Sequence, residues 1–414
     1  MSQRIVIIGA GFAGMYSALA ARRLISQNGR DQDIETVVIA PEPTLAVRPR
    51  LYEANPATMA APLGDLFTAT GVKFIQGVAK TIDTKMRQVG VVNTGGEAAV
   101  VDYDRLILAA GSQLRVPNVD GLKEQSFNVD QLHSAIALDE HLHSLPRAPD
   151  CPARNTVIVC GGGFTGIELA AELPARLRSI LGQGTETRVI VVERNPTIGP
   201  GLGPSPRPEI QKALDDYGVE LKLGVAVTSV DAGGVVTSTG ERIEASTVVW
   251  TGGMVATGLT QQIPGEKDGL GRLVVDENLR VAQTKNVFAT GDAACAVTDE
   301  DGHTAMMSCQ HALVLGRSSG HNAAADLLGL PNRPYSQPDY GTCLDLGPNG
   351  AVVTAGWDRQ VVFTGSQAKS VKQFINTTLI YPPPADAKEA FAVADPDYKL
   401  PNLEPPPVPV AVKA

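Results

Sequence analysis

Gly9-Ala-Gly11-Phe-Ala-Gly14 and Gly161-Gly-Gly163-Phe-Thr-Gly166 are two copies of one glycine pattern, each directly behind a short apolar run. The runs Arg4–Ile8 and Thr156–Cys160 read as buried parallel strands, and Phe12 to Ile25 and Phe164 to Leu181 as the helices that follow them. Thr36–Ile39 and Thr187–Val192 supply second strands and close two βαβ units. In such a unit the first glycine permits a tight bend, the second lets the backbone approach a pyrophosphate, and the third lets the helix pack on the strand. The free amides at the helix start then favour a negative charge. One unit implies one dinucleotide; two imply a chain that holds a pair and passes electrons between them.

The two units differ where the second strand ends. The later one ends in Glu193, placed to accept hydrogen bonds from a ribose 2′-hydroxyl and to repel a 2′-phosphate, which favours NADH. Arg194 follows directly and leaves NADPH open. The earlier strand ends in Ala40, with Glu42 the nearest carboxylate. The second fingerprint runs on into Glu168 and Glu172, two carboxylates at i and i+4 on one helix face. They are read either as solvated residues or as lining the seam where the nicotinamide meets the other cofactor.

A chain of 414 residues with 43% hydrophobic and 19% charged residues has the size and composition of two or three soluble domains. Its net charge of −9 argues against nucleic acid and against broad contact with anionic lipid. Cys151, Cys160, Cys295, Cys309 and Cys343 contain no C-x-x-C pair, so free thiols in a reducing cytosol are expected. No spacing resembles a metal site. The start of the chain lacks a signal-peptide pattern and no apolar run is long enough to span a bilayer, so an intracellular protein without a transmembrane segment is expected. Val72–Gln76, Gln88–Val92, Glu220–Leu223 and Val235–Gly240 read as short strands of meanders. His141 and His143 read as surface residues. Pro382–Pro384 and Pro405–Pro407 mark a tail that wraps the surface or stays partly unstructured.

Asn286 to Ala294 reads as a strand ending in Thr-Gly291-Asp292. With it, the chain resembles the two-dinucleotide-binding flavoproteins of the pyridine nucleotide–disulfide reductase superfamily over roughly residues 4–325. Leu106 to Gly111-Ser and Val248 to Gly252-Gly look like that superfamily's two crossovers between lobes. The resemblance implies an α/β fold of two Rossmann-like three-layer lobes and a small C-terminal region. Residues 1–113 with 257–325 would form the FAD lobe, 114–256 an inserted NAD(P)H lobe, and 326–414 a C-terminal region with a Pro-rich tail. Non-covalent FAD would lie on Gly9, Gly11, Phe12, Ala13, Gly14, Glu42, Arg48, Ala110, Gly111, Gly291, Asp292, Gln310, His311 and Ala312, with Asp292 on its ribityl chain. NADH would lie on Gly161, Gly163, Phe164, Thr165, Gly166, Glu168, Glu193, Arg194, Gly252 and Gly253.

The cysteine pair of the disulfide-reductase branch is missing. Arg48-Pro-Arg-Leu-Tyr-Glu53, Ser308 to Ala312 and Tyr340 to Gly347 resemble segments of type II NADH:quinone oxidoreductases and of the apoptosis-inducing-factor-like branch. Hydride would then pass from NADH to FAD and on to a quinone or other small acceptor, with Glu168, Glu172 and Gln310 as catalytic candidates and Lys372 as a candidate to face the flavin. Two features depart from that branch. The paired glutamines that end its quinone helix are here Val314-Leu315, and Ser366 to Tyr381 lacks a basic amphipathic anchor. The expectation is a cytoplasmic enzyme, with peripheral contact at the inner face of the membrane and a homodimer both left open. Two rivals remain: a reductase of a protein electron carrier, and a NADH-sensing flavoprotein with little turnover.

Overall fold

The structure, a computed structural model, describes residues 2–348 and 350–399. In chain order, strand β1 (Gln3–Ile8) leads into helix α1 (Phe12–Gln27), β2 (Ile34–Ala40), β3 (Lys73–Gln76) and β4 (Arg105–Leu108). Next come β5 (Thr156–Cys160), α2 (Phe164–Leu181), β6 (Arg188–Glu193), β7 (Val219–Leu223) and β8 (Thr247–Trp250). The chain then returns through β9 (Val287–Ala289) and α3 (Cys309–Leu328).

Two parallel sheets result, one ordered β9-β4-β1-β2-β3 and the other β7-β6-β5-β8. Ile5 to Ile7 and Val157 to Val159 are completely buried, which is why these central strands are unbroken apolar runs and not alternating ones. The edge strands β3 and β7 correct the meander reading of Val72–Gln76 and Glu220–Leu223. Each is covered only in part, so it carries polar and charged residues among its apolar ones as a meander strand does. Gln88–Val92 does belong to an antiparallel three-stranded sheet, and so does Gly234–Thr237.

Helices α1 and α3 cross at unusually close range because α3 presents glycines. A Cβ at Gly316 would stand 2.5 Å from the Ala13 carbonyl oxygen, and one at Gly320 would collide with that of Ser17. The Ser17 and Ser319 hydroxyls, 3.0 Å apart, satisfy each other inside this contact. Between the lobes, Ser112–Leu114 pairs antiparallel with Met254–Ala256, a ribbon formed by the two crossovers. The C-terminal region is an antiparallel sheet of β10 (Gly341–Asp345), β11 (Ala351–Ala355) and β12 (Gln360–Thr364), covered by α4 (Gly365–Phe374).

Residues 385–399 carry a helix of their own and pack on the first lobe. Asp386 caps a helix, Ala387–Val393, whose Ala390 is buried, and Asp395 pairs with Arg23 on α1. Pro405–Pro407 lie outside the described residues. Among the described residues no helix is long and apolar enough to cross a membrane.

Candidate functional site

The two glycine turns have the same construction. Gly9 and Gly161 bend at φ +111° and +121°, in a region closed to other residues, while a Cβ at Gly14 or Gly166 would collide with the carbonyl oxygen of Gly9 or Gly161. These four glycines are required by the protein's own packing. Gly11 and Gly163 differ: nothing lies within 4 Å of where their Cβ atoms would stand. Each is the N-cap of its helix, without a side-chain cap and without an acidic residue in the first turn. Both helices therefore begin with unengaged amides at the positive end of a dipole, beside open space, which suits a pyrophosphate.

Behind the second turn, Glu193 is 6% exposed and its carboxylate accepts from Gly162 N–H (2.7 Å) and Asn195 N–H (2.7 Å). Arg194 and Thr165 are exposed and Phe164 is half-buried. In the first lobe Ala40 is buried and Glu42 exposed.

Asp292 lies where the lobes meet. Its Oδ2 accepts from the Ser112 hydroxyl (2.6 Å) and stands 3.5 Å from Arg48 Nη1. Burial raises its pKa, offset in part by Arg48 and by the Ser112 hydrogen bond. Gly291, at φ +58°, packs against α1 so closely that a Cβ there would stand 2.7 Å from that of Ala13, with the Ala312 methyl 3.7 Å away. Ala110 is half-buried, and Gly111, at φ +68°, borders open space. In the other crossover a Cβ at Gly252 would enter the Trp250 ring, and Gly253 turns at φ +92°.

A buried charge cluster joins α2 to the C-terminal region. Glu168 Oε1 accepts from Lys372 Nζ (2.8 Å) and from the Asp345 N–H (3.0 Å). Burial pushes Glu168 up to about 7, with Lys372 only partly countering it. Burial works against charge on Lys372 as well, but Glu168 and Cys343 outweigh it and keep the amine protonated. The Glu168 shift runs against its own ion pair, which marks the position as dry. Lys369 Nζ donates to both oxygens of Asp345 (2.6 and 2.8 Å) and stands 3.9 Å from Glu172. Burial and the nearby Asp345 charge raise the pKa of Glu172. The Tyr52 hydroxyl donates to Asp345 (3.0 Å), and Arg50 pairs with Glu53.

Asp345, Lys369 and Tyr52 were not among the sequence candidates. The only available signal was that Tyr52 and Asp345 lie in the segments Arg48–Glu53 and Tyr340–Gly347, and that Lys369 and Lys372 are alone in a stretch otherwise without base.

At the start of α3 the Ser308 hydroxyl caps the His311 N–H (3.3 Å) and meets its ring Nδ1 (3.0 Å). Burial, helped by Arg272, holds that imidazole down to about 4, so it is neutral. Its ring centroid is 5.3 Å from that of Tyr340, and Gln310 is half-buried one residue before it. His143 is exposed, but the surface reading of His141 is corrected. That ring is half-buried, lies 4.4 Å from the Phe127 ring and meets the Thr247 hydroxyl at 2.9 Å, because its helix, Leu132–Ser144, turns this face to β8. All five cysteines are free thiols. Among the described residues no group of three or more His, Cys, Asp or Glu side chains could hold a metal ion.

Residues 3–316 match the family described as pyridine nucleotide-disulphide oxidoreductase, and the chain belongs to that family. A NADH dehydrogenase-like protein of Mycobacterium tuberculosis is 44% identical over 92% of this chain and 94% of its own length. Demethylphylloquinone reductase of Synechocystis is 30% identical over 85% of this chain and 86% of its own. Among solved structures, NDH2 from Plasmodium falciparum in complex with NADH superposes with a TM-score of 0.77 at 12% identity, covering 95% of this chain and 97% of that one. The two-lobed α/β fold read from the glycine repeat is thus the fold of the family, and the chain is a flavin- and nicotinamide-dependent oxidoreductase.

Proposed function

We propose that this chain is an FAD-dependent NADH:quinone oxidoreductase. The observation that carries the reading is the pair of uncapped helix starts with open space at Gly11 and Gly163, one in each sheet. The lobe boundaries given above, 1–113 with 257–325 and 114–256, belong to the same proposal. The residues fit the cofactors. Gly11 and the first turn of α1 would take the FAD pyrophosphate, and buried Asp292 would accept hydrogen bonds from the ribityl hydroxyls. Gly163 and α2 would take the pyrophosphate of NADH, while Glu193 would exchange its backbone partners for ribose hydroxyls and disfavour NADPH. Held there, flavin would supply the redox chemistry, a two-electron relay from NADH to the quinone.

The chain's own work is orientation and proton supply. Reducing a quinone consumes two protons, and Glu168, raised to about 7, holds or releases one near neutral pH with Lys372 stabilising the charge left behind. Glu172, Lys369 and Asp345 extend the acidic and basic groups from Glu168 toward the surface. Gln310, at the first turn of α3, is the candidate to contact the acceptor. The names of the Mycobacterium and Synechocystis relatives support NADH as donor and a quinone as acceptor. We place the enzyme in the cytoplasm, reaching a lipid-soluble quinone at the inner face of the membrane.

The test is anaerobic reduction of the bound flavin by NADH, then reoxidation with menadione, oxygen, a dye and a ferredoxin in parallel. Bleaching by NADH and fastest recovery with menadione are expected. A flavin that NADH leaves oxidised would end the proposal, and fastest recovery with ferredoxin would replace the acceptor.

A further inference from the structure

Arg48 was read as a contact to FAD, yet its donors face the protein. Nε donates to the Asp130 carbonyl (3.0 Å), Nη2 to Asp130 Oδ1 (2.6 Å) and to Met254 Sδ (3.2 Å), and Nη1 to the Ser112 hydroxyl (3.1 Å) on the side of Asp292. A guanidinium engaged along its whole fork has little left for a ligand and is held as a rigid plate.

Its partners belong to different parts of the molecule. Arg48 follows Leu45 and Val47, which are buried in the core of the first lobe. Asp130 follows Phe127, whose backbone bonds to Val248 and Trp250 in β8 of the second sheet. Ser112 and Met254 lie on the two strands of the crossover ribbon. Asp130 is itself fully engaged, with Oδ2 accepting from Leu114 N–H (3.0 Å) and Gln131 Nε2 (2.9 Å). One half-buried ion pair thus touches the first lobe, the second lobe and both connecting strands.

We propose that Arg48 and Asp130 form a latch that fixes the angle between the two lobes, and that this angle sets how NADH on the second lobe meets the flavin on the first. Both are positioning residues. The inference rests on the functional reading above only for its kinetic consequence. Hydride transfer requires reacting atoms in near contact, so a small change of lobe angle slows it steeply. Electron transfer out to a quinone, which need not involve the second lobe's nucleotide, is spared.

The experiment uses the FAD-loaded full chain carrying Asp130→Asn, with Arg48→Lys as the second variant in case the first does not fold. Trypsin reports on the latch directly, because Arg115 is exposed, lies just past the ribbon and is held by its N–H to Gly253 (2.9 Å) and its carbonyl to Trp250 Nε1 (2.9 Å). Cleavage after Arg115, located by mass, should be about tenfold faster in the variant because the ribbon opens more often. In stopped flow, flavin bleaching by saturating NADH should slow by about tenfold while reoxidation by menadione keeps its wild-type rate. Unchanged cleavage after Arg115 would overturn the latch. Equal slowing of both half-reactions would overturn its role in hydride transfer. If wild-type flavin is not bleached by NADH at all, the functional reading fails, and the trypsin result still decides whether the latch exists.

Discussion

Replacing Lys372 by Met removes the only side-chain cation paired with Glu168 among the described residues while keeping the volume of the side chain. In the wild-type protein the folded pKa of Glu168 is raised from 4.5 to about 7. A raised carboxyl contributes stability while protonated, and that contribution fades as pH climbs between these two values and is gone above 7. Without Lys372 the folded pKa moves higher still, because the amine is what lowers it now. The variant therefore goes on losing stability above pH 7, where the wild type has stopped. Each pH unit over which only the variant's carboxyl still titrates is worth about 1.4 kcal/mol, so the gap between Lys372→Met and wild type should widen by on the order of 1–2 kcal/mol from pH 7 to roughly pH 9. Urea titrations followed by circular dichroism at both ends of the range read this directly. The double variant with Glu168→Gln should show no widening, since nothing is left to titrate. A gap of constant size, or one that survives in the double variant, would refute the claim that Glu168 is a dry carboxyl whose charge one lysine supports.

Gly11→Ala should leave the apoprotein as stable as wild type, because its Cβ meets nothing, yet reduce FAD retention after gel filtration. Gly14→Ala should destabilise by about 3 kcal/mol or more, since α1 must move off the Gly9 carbonyl. Glu193→Ala should raise the ratio of kcat/KM for NADPH over that for NADH by about tenfold, measured with menadione as acceptor; an unchanged ratio would remove Glu193 from donor selection. Glu172→Gln should leave flavin reduction by NADH intact and slow reoxidation by menadione by about threefold to tenfold, read by stopped flow. Identical half-reactions would exclude it from proton supply.

The helix starts were legible to the residue, since Phe12 and Phe164 follow glycines whose spacing has one structural solution. The parallel centre of each sheet was legible for a related reason: burial on both faces leaves an unbroken apolar run. Edge strands were not, because one open side gives β3 and β7 the mixed polar and apolar composition of a meander. Lys372 and Asp345 escaped as partners of Glu168 for a deeper reason. An ion pair between residues 204 positions apart leaves no periodicity in either segment, and only the folded chain brings them together. Arg48 was noticed, but its pairing with Asp130 was not, from the same cause: nothing local marks Asp130 as its partner.

The first sheet is completed by β9, a strand the ribosome delivers only after the whole second lobe has been made. Helix α3, whose glycines let it settle on α1, comes later still. During synthesis the second lobe can therefore close on its own contiguous strands while β4 waits with one edge unpaired and α1 with one face bare. The flavin site proposed for the first lobe is then the last part to be finished, although its glycine turn is the first to emerge, and truncated chains should hold nicotinamide before they can hold flavin.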